Sequence, residues 1–219
     1  MIIEKLASIE NEIKLKIKDK RKIHSTLNII AVSKTFPINH ILPLINHGHL
    51  HFGENKIQEA MEKWTNIKKE HKKINLHMIG RLQTNKVKYV VELFDYIHSL
   101  DSKKLAEKIS SEQLKKNKNL KIFIQINIGN ELQKSGILIE ELTEFYDYCV
   151  NKLKLNIIGL MCIPPQNVNP SIFFDKMEKI KNSIKVKELS MGMSDNYLDA
   201  VEFGATFLRI GSKIFGQRD

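Results

Sequence analysis

The sequence predicts one α/β domain over residues 1–219, built as a single (β/α)8 barrel of the TIM type and preceded by an N-terminal helix. Extended apolar runs alternate along the chain with helical patterns, and about eight strand–helix units fit the small end of the size range of such barrels. A chain of 219 residues is also long enough for one substantial core. A doubly wound open sheet is the alternative, because periodicity does not show whether a parallel sheet closes.

The individual elements are predicted from the spacing of apolar residues. Leu6, Ile9 and Ile13 recur every three or four positions, which predicts the leading helix. The same spacing predicts helices over 142–153 and 173–184. Short apolar runs predict the strands, at 28–33, 50–52, 75–79, 96–98, 121–128, 156–161, 188–190 and 206–210.

Lys34 is the strongest candidate for a reactive group. It directly follows the first apolar run, and Pro37 ends the extended segment soon after it. Functional side chains of α/β barrels come from the C-terminal ends of the strands, and a lysine amine that is desolvated there can attack an aldehyde to form a Schiff base. The alternative is a solvated surface lysine, which is the usual environment of this residue type.

Two small turns that contain glycine follow the predicted seventh and eighth strands. The first contains Gly192 and Ser194, and the second contains Gly211 and Ser212. Barrels often bind a phosphate group between these two loops, because small residues let backbone amides approach the anion. Two ordinary turns that use glycine for its positive φ angles are the alternative.

Arg209 lies in the predicted eighth strand, directly before the second of these turns. A guanidinium at this place can donate to the ring nitrogen of a bound pyridine cofactor. It disfavours protonation of that nitrogen, so we expect the ring to be a poor electron sink and the site to be poor at carbanion chemistry. An ion pair between Arg209 and Glu202 is the alternative.

The formal net charge of +10 invites a nucleic-acid partner, because clustered lysines can neutralise phosphates. The lysines are concentrated at 14–22, 68–73 and 115–121, which we expect to be solvated helix faces and loops. No basic stretch is interleaved with aromatic residues in the manner of a base-stacking surface. We therefore expect no nucleic-acid partner and keep this class as the weakest hypothesis.

Metal and nucleotide sites have little support. His47, His49 and His51 alternate in a way that is typical of metal ligands, but no cysteine or acidic residue nearby completes a set. Neither a Walker motif nor a GxGxxG phosphate loop occurs. We expect no bound metal.

The expected location is the cytoplasm. Cys149 and Cys162 lie in apolar runs and are expected to be buried free thiols in a reducing compartment. The sequence contains no apolar run long enough to cross a membrane, and its N-terminus lacks the pattern of a signal peptide. We expect no membrane partner.

Six short motifs run in order across nearly the whole chain. They are AVSK at 31–34, FGEN at 52–55 with Gln58 and Glu59, IGRLQTNK at 79–86, GLM at 159–161, LSMGMS at 189–194 and RIGSKIFG at 209–216. Together they closely resemble the pyridoxal phosphate homeostasis protein family. The resemblance implies a fold type III barrel, like the N-terminal domain of alanine racemase, that holds pyridoxal 5′-phosphate (PLP) as a Schiff base.

The resemblance also implies roles for individual residues. Lys34 resembles the lysine that forms the Schiff base, and Arg209 resembles the partner of the pyridine nitrogen. Asn55 resembles a residue that lines the cofactor pocket. The phosphate cradle implied by the resemblance consists of Ser194, Gly211 and Ser212.

One loop departs from the family pattern. The family usually has Ser-Gly-Glu after the asparagine of the fifth strand, whereas Asn127 is followed here by Ile-Gly-Asn-Glu. Lys134 and Gly136 still match, so we expect the loop to be kept with altered hydrogen bonds. Its part in cofactor release or partner contact stays open.

The resemblance implies a PLP-binding protein of vitamin B6 homeostasis without established turnover. We expect a monomer, with PLP-dependent apo-enzymes as candidate recipients of the cofactor. A single-domain amino-acid racemase is the alternative, and Tyr197 or His77 would have to serve as its second acid or base. Alanine racemases take that group from a second, β-rich domain, which we do not expect here because the sequence stops at Asp219.

Overall fold

The fold is a closed barrel of eight parallel strands with helices around it. The computed structural model describes residues 1–18, 27–131 and 133–217. Strand β1 (Asn28–Val32) pairs with strand β8 (Phe207–Ile210), and this pairing closes the sheet. The predicted barrel is therefore confirmed, and the open-sheet alternative is wrong.

The strands follow one another around the barrel in the order of the sequence. Their centres coincide with the predicted apolar runs, because parallel strands that are buried on both faces are apolar along their length. The remaining strands are β2 (His51–Glu54), β3 (Asn75–Met78), β4 (Tyr96–Leu100), β5 (Lys121–Ile126), β6 (Ile157–Cys162) and β7 (Glu188–Met193).

The helices lie outside the barrel and include the predicted leading helix, α1 (Ile2–Lys18). Leu6, Ile9 and Ile13 of α1 are buried in the main hydrophobic core, as their spacing predicts. The other helices are α2 (Ile38–Asn46), α3 (Ile57–Glu70), α4 (Val87–Leu93), α5 (Lys103–Lys116), α6 (Leu142–Asp147), α7 (Pro170–Ser183), α8 (Tyr197–Glu202) and α9 (Ser212–Phe215). A π-helical turn, Tyr148–Lys152, extends α6.

Strand β5 ends earlier than predicted, at Ile126. Asn127 is the reason, because its side chain organises the following loop: Nδ2 donates to the Glu131 carbonyl (2.9 Å), and Oδ1 accepts from the Glu131 N–H (3.1 Å). Lys134 Nζ then donates to the Pro164 carbonyl at 3.3 Å. The loop with the altered sequence is thus held by the asparagine and the lysine that match the family pattern.

Strand β7 continues to Met193, three residues past the predicted end. Its pairing with β8 shifts register between Ser190 and Met193. Gly192 lies in this irregular stretch with φ +87°, and a Cβ at this position would lie 2.6 Å from Ala200 Cβ. A glycine is therefore required for both its backbone conformation and the space it leaves. The turn signal in the sequence is in fact a bulge inside the strand.

The predicted burial of both cysteines as free thiols is confirmed for Cys149 and Cys162. Burial raises the pKa of each thiol to about 12, so both stay protonated at neutral pH. Across the described ranges, none of the helices combines the length and the apolar character that a membrane span requires. Positions 19–22 of the first predicted lysine cluster lie outside the described residues.

Candidate functional site

A cavity of about 600 Å³ opens at the C-terminal end of the barrel, where the loops after the strands meet. This volume is in the range of small-molecule sites in proteins. All six residues predicted for the cofactor site line it: Lys34, Asn55, Ser194, Arg209, Gly211 and Ser212.

Lys34 follows β1 and is partly buried at the cavity wall. A tight turn begins immediately after it, in which the Phe36 N–H donates to the Ser33 carbonyl at 3.2 Å. Thr35 occupies the left-handed region with φ 70°, which is unfavourable for a β-branched residue. The backbone on both sides of the lysine is therefore tightly constrained.

An ionic cluster of the buried Glu54 and Lys63 side chains with the partly exposed Glu59, which we call the Lys63 cluster, supports this turn from outside the barrel. Lys63 Nζ lies 2.9 Å from each of three acceptors, which are the Ser33 carbonyl, Glu54 Oε1 and Glu59 Oε1. Glu59 Oε1 also accepts from the Thr35 N–H at 2.5 Å. Lys63 therefore contacts the backbone before Lys34 directly, at the Ser33 carbonyl, and the backbone after Lys34 through Glu59, which bonds to the Thr35 N–H.

Sequence reasoning missed this role of Lys63. Glu54 is fully buried, and its Oε1 accepts from the Ser33 hydroxyl (2.7 Å) and from Trp64 Nε1 (2.9 Å) in addition to Lys63. The motif that contains Glu54 and Glu59 could have indicated this cluster. Two acidic residues in and next to a buried strand need a nearby cation, and Lys63 follows them closely in the sequence.

Asn55 reaches the cavity because the end of β3 passes very close to it. A Cβ at Gly80 would lie 2.5 Å from the Asn55 carbonyl oxygen, so a glycine is needed there. The Asn55 Oδ1 atom is buried and has no hydrogen-bond partner among the described residues. A buried polar atom without a partner is costly, so this oxygen is suited to a ligand or to water.

The two small turns meet at the wall of the cavity next to β1, since a Cβ at Gly211 would lie 3.4 Å from Val32 Cβ. Ser194 Oγ accepts from the Gly211 N–H at 3.3 Å and so links the turn after β7 to the turn after β8. Asn196 Oδ1 accepts from the Met193 N–H at 2.8 Å and holds the first turn in shape. Helix α9 starts at Ser212, and the first N–H groups of a helix lack acceptors within it. The combination of hydroxyls and free amides is typical of an anion site.

Arg209 is buried, and all three of its hydrogen bonds in the structure go to neutral acceptors. Nη1 donates to the carbonyl and the hydroxyl oxygen of Ser190 (both 2.7 Å), and Nη2 donates to the Cys162 carbonyl at 2.8 Å. Burial lowers the pKa of Arg209 to about 10, so the guanidinium stays protonated at neutral pH. Glu202, the alternative partner, pairs with Lys16 of α1. The remaining N–H groups of Arg209 can serve an acceptor in the cavity.

The two residues considered as a second acid or base of a racemase do not line the cavity. The Tyr197 hydroxyl donates to Glu12 Oε2 at 2.5 Å, and burial raises the pKa of this tyrosine. His77 is fully buried inside the barrel. Sequence reasoning missed Asp195 and Gln217 as lining residues, since no local pattern distinguishes them from ordinary loop residues.

Two of the alternating histidines, His49 and His51, contact other protein groups. His49 Nε2 lies 2.9 Å from the His51 carbonyl oxygen, and His51 Nδ1 lies 3.0 Å from His77 Nε2. Within the ranges that the structure describes, no group of histidine, cysteine and acidic side chains is arranged to hold a metal ion.

Comparison with known proteins defines first the class and then the family. The family model described as the N-terminal domain of alanine racemase matches residues 11–219. The pyridoxal phosphate homeostasis protein of Pasteurella multocida is 34% identical over 228 aligned positions, which cover 100% of this chain and 98% of that protein. The protein of the same name from Aquifex aeolicus is 37% identical, with 87% and 86% covered. The chain therefore belongs to the pyridoxal phosphate homeostasis protein family.

A solved structure agrees with this assignment. PipY of Synechococcus elongatus, solved with PLP bound, matches with a TM-score of 0.85 at 30% identity, covering 99% of this chain and 100% of PipY. An alanine racemase of Clostridium difficile matches with a TM-score of 0.69 at 13% identity, which shows a shared fold. This chain covers 57% of that racemase chain.

Proposed function

We propose that this protein binds PLP in the cavity at the C-terminal end of the barrel and serves PLP homeostasis as a carrier. The observation that carries the proposal is that one cavity is lined by an amine after β1, by the small turns after β7 and β8, and by a buried cation on β8. These three features match the aldehyde, the phosphate and the ring nitrogen of PLP. The names of the relatives and the PLP-bound PipY structure support the same cofactor.

Each residue has a role in this proposal. Lys34 supplies the amine, and Arg209 donates to the ring nitrogen and keeps it unprotonated. The Asn55 oxygen accepts from a ligand group or from water at the cavity wall. The anion is held by backbone amides and hydroxyls of the cradle, formed by Ser194, Gly211 and Ser212. When bound, PLP supplies an aldehyde that forms a reversible covalent bond with an amine.

A carrier fits the cavity better than an enzyme does. A ring nitrogen that faces Arg209 is a weak electron sink, so the site stores the aldehyde without promoting carbanion formation. The racemase alternative needs a second acid or base, and neither Tyr197 nor His77 lines the cavity. We further propose that the protein acts in the cytoplasm as a monomer and passes PLP to apo-enzymes. Exchange of an amino acid's α-hydrogen in D₂O that depends on Lys34 would favour the racemase.

Absorption spectroscopy tests the proposal. Wild-type protein that is saturated with PLP and freed of excess should show a visible band that free PLP lacks. The Lys34→Ala variant should lack the band, because it has no amine at the cavity wall. Lys56→Ala is the matched control, since Lys56 is an exposed lysine next to Asn55, and it should keep the band. A wild-type protein that never develops the band contradicts the proposal.

A further inference from the structure

The interior of the barrel contains a continuous chain of polar side chains where apolar residues are usual. The layers inside such barrels are dominated by bulky branched apolar residues. Here His51 Nδ1 lies 3.0 Å from His77 Nε2, and His77 Nδ1 lies 2.9 Å from His98 Nε2. His98 Nδ1 lies 2.8 Å from the Ser190 hydroxyl, which Arg209 also contacts at 2.7 Å. We call His51, His77, His98 and Ser190 the histidine chain.

Counting protons fixes the direction of these hydrogen bonds. Arg209 can only donate, so the Ser190 oxygen accepts from it. If this oxygen also accepted from His98 Nδ1, the hydroxyl proton would have no acceptor among the described residues, so Ser190 donates its proton to His98 Nδ1. A neutral imidazole carries one N–H, so His98 donates from Nε2 to His77, and His77 donates from Nε2 to His51. Each hydrogen bond of the histidine chain therefore has its donor on the side nearer Arg209, and each contact pairs one donor with one acceptor.

The surroundings keep the chain neutral and in place. Burial lowers the pKa of His77 and of His98 well below the usual value, so neither ring carries charge at neutral pH. The His77 ring stacks on Tyr96 with centroids 4.1 Å apart, and the His98 ring stacks on Phe123 at 4.3 Å. A second proton on His77 would point an N–H at the N–H of His98, and a second proton on His98 would point an N–H at the hydroxyl proton of Ser190, so either one would break the chain.

We propose that the histidine chain is a positioning device for Arg209: it holds the Ser190 hydroxyl with its lone pairs toward the guanidinium and so orients Arg209 toward the cofactor cavity. This inference rests on the proposed function, because Arg209 is taken to meet the ring nitrogen of PLP. Ser190 contributes two acceptors to Nη1, its carbonyl and its hydroxyl oxygen. The carbonyl oxygen accepts from Arg209 whatever the histidines do. The hydroxyl oxygen can accept only while its proton points at His98, because a hydroxyl rotated the other way would point its proton at Arg209.

A role as mere filling does not account for this arrangement. Buried polar groups cost free energy compared with well-packed apolar residues unless every partner is present. The neighbouring Ser99 shows the contrast, since its buried hydroxyl has no partner among the described residues. The histidine chain, in contrast, satisfies each of its ring nitrogens between His51 and Ser190. It also ends on Arg209, whose guanidinium group lines the cavity.

The first test is the position of the ring protons in cofactor-free wild-type protein. Protein labelled with ¹⁵N in its histidines is examined by long-range ¹H–¹⁵N correlation, which distinguishes the two neutral tautomers. We expect the proton of His51, His77 and His98 on Nε2 at neutral pH. A proton on Nδ1 of His98 would overturn the inference, because Ser190 would then accept from both sides. This readout does not depend on PLP, so it separates the inference from the proposed function.

The second test compares cofactor retention in four variants. Ser190→Ala removes one acceptor of Arg209, so the dissociation constant of PLP should rise by about tenfold or more. Ser99→Ala is the matched control, because it truncates an equally buried serine outside the chain, and it should leave retention unchanged. His98→Gln keeps one acceptor and one donor, so it should retain PLP better than His98→Phe, which keeps neither.

Two results of this comparison would overturn the inference. One is equal retention in Ser190→Ala and Ser99→Ala. The other is His98→Phe retaining PLP as well as His98→Gln does, which is what a filling role predicts, since phenylalanine packs at least as well in an apolar interior. A wild-type protein that binds no PLP would contradict the proposed function, and the tautomers alone would then decide whether the chain orients Ser190.

Discussion

At the scale of single residues, the site depends on positions whose backbone permits little change. Thr35 has φ 70°, and such a conformation costs about 1–3 kcal/mol for a residue other than glycine. The bond from its N–H to Glu59 Oε1 (2.5 Å) helps to offset this cost. Because the strained residue directly follows Lys34, the backbone from which the Lys34 side chain extends has little freedom to move. Gly192 has the same kind of importance for the turn after β7, which we propose as part of the anion cradle.

Two glycine substitutions separate backbone strain from lack of space. Gly48 and Gly192 have nearly the same φ, +90° and +87°, but only Gly192 has neighbours close to the position of a Cβ. Gly48→Ala should lower the free energy of unfolding by the backbone strain alone. Gly192→Ala should lower it by about 1–3 kcal/mol more, because the new Cβ would overlap Ala200. Urea unfolding measures both. Equal losses in the two variants would show that the bulge in β7 has room to relax.

At the scale of elements, the contact between α3 and the first two strands is ionic as well as apolar. The Lys63 side chain is 7% exposed and the Glu54 side chain is completely buried, so the two charges depend on each other. Removing one partner of a buried pair leaves an uncompensated charge, which costs more than the pair contributes. The Lys63 cluster therefore couples the docking of α3 to the turn that carries Lys34.

Lys63→Met should destabilise the protein by about 3–5 kcal/mol, because Glu54 would lose its cation. Lys68→Met is the matched control on the same helix, since Lys68 pairs with the more exposed Asp95 (2.5 Å), and it should cost about 1 kcal/mol or less. The double variant Glu54→Gln/Lys63→Met should recover part of the loss. Urea unfolding of the three variants checks this, and similar losses in Lys63→Met and Lys68→Met would refute it.

At the scale of the whole molecule, the barrel interior should make folding sensitive to acid. Burial lowers the pKa of His77 and His98 well below the usual value, so the unfolded chain binds protons that the folded chain excludes. The pKa of His51 is lowered to about 4 by burial and by the neighbouring His49 and Lys121. Above the pKa that these histidines have in the unfolded chain, neither state binds the extra protons, and the free energy of unfolding is at its full value. As the pH falls below that pKa, protons bind to the unfolded chain and the free energy of unfolding decreases.

The free energy of unfolding should therefore decrease between about pH 6.5 and pH 4.5, by up to about 1.4 kcal/mol per pH unit for each buried histidine. Carboxylates with lowered pKa values, such as Glu12 and Glu59, lose their contribution only at lower pH, so they do not obscure this window. Urea unfolding at several pH values measures the slope. The slope should be shallower in His77→Asn, and a flat wild-type profile over this range would be the opposite of the expected result.

Much of the fold could be predicted from the sequence, because parallel strands buried on both faces leave continuous apolar runs. The six candidate site residues could also be predicted, because barrel chemistry concentrates at the ends of strands and the motifs resemble a known family. Periodicity alone could not show that the sheet closes, because closure depends on the pairing of β1 with β8 at opposite ends of the chain; the number of strand–helix units and the family resemblance predicted the closed barrel.

The Lys63 cluster and the histidine chain could not be predicted from the sequence, for a related reason. Lys63 contacts the Ser33 carbonyl across 30 positions of sequence, and His98 contacts Ser190 across 92 positions. No local spacing reports such pairs, since they form only when the strands take their places in the barrel. The alternation of His47, His49 and His51 gave no indication that His51 is the outer end of the histidine chain.

Borohydride reduction followed by peptide mapping tests whether Lys34 bonds covalently to PLP, as we propose. Reduction makes the bond permanent, and trypsin does not cleave after a modified lysine. Wild-type protein should yield one phosphopyridoxyl-labelled peptide, residues 23–56, with Lys34 uncleaved within it. Label spread over many lysines, or found on another lysine while Lys34 is cleaved normally, would contradict the account.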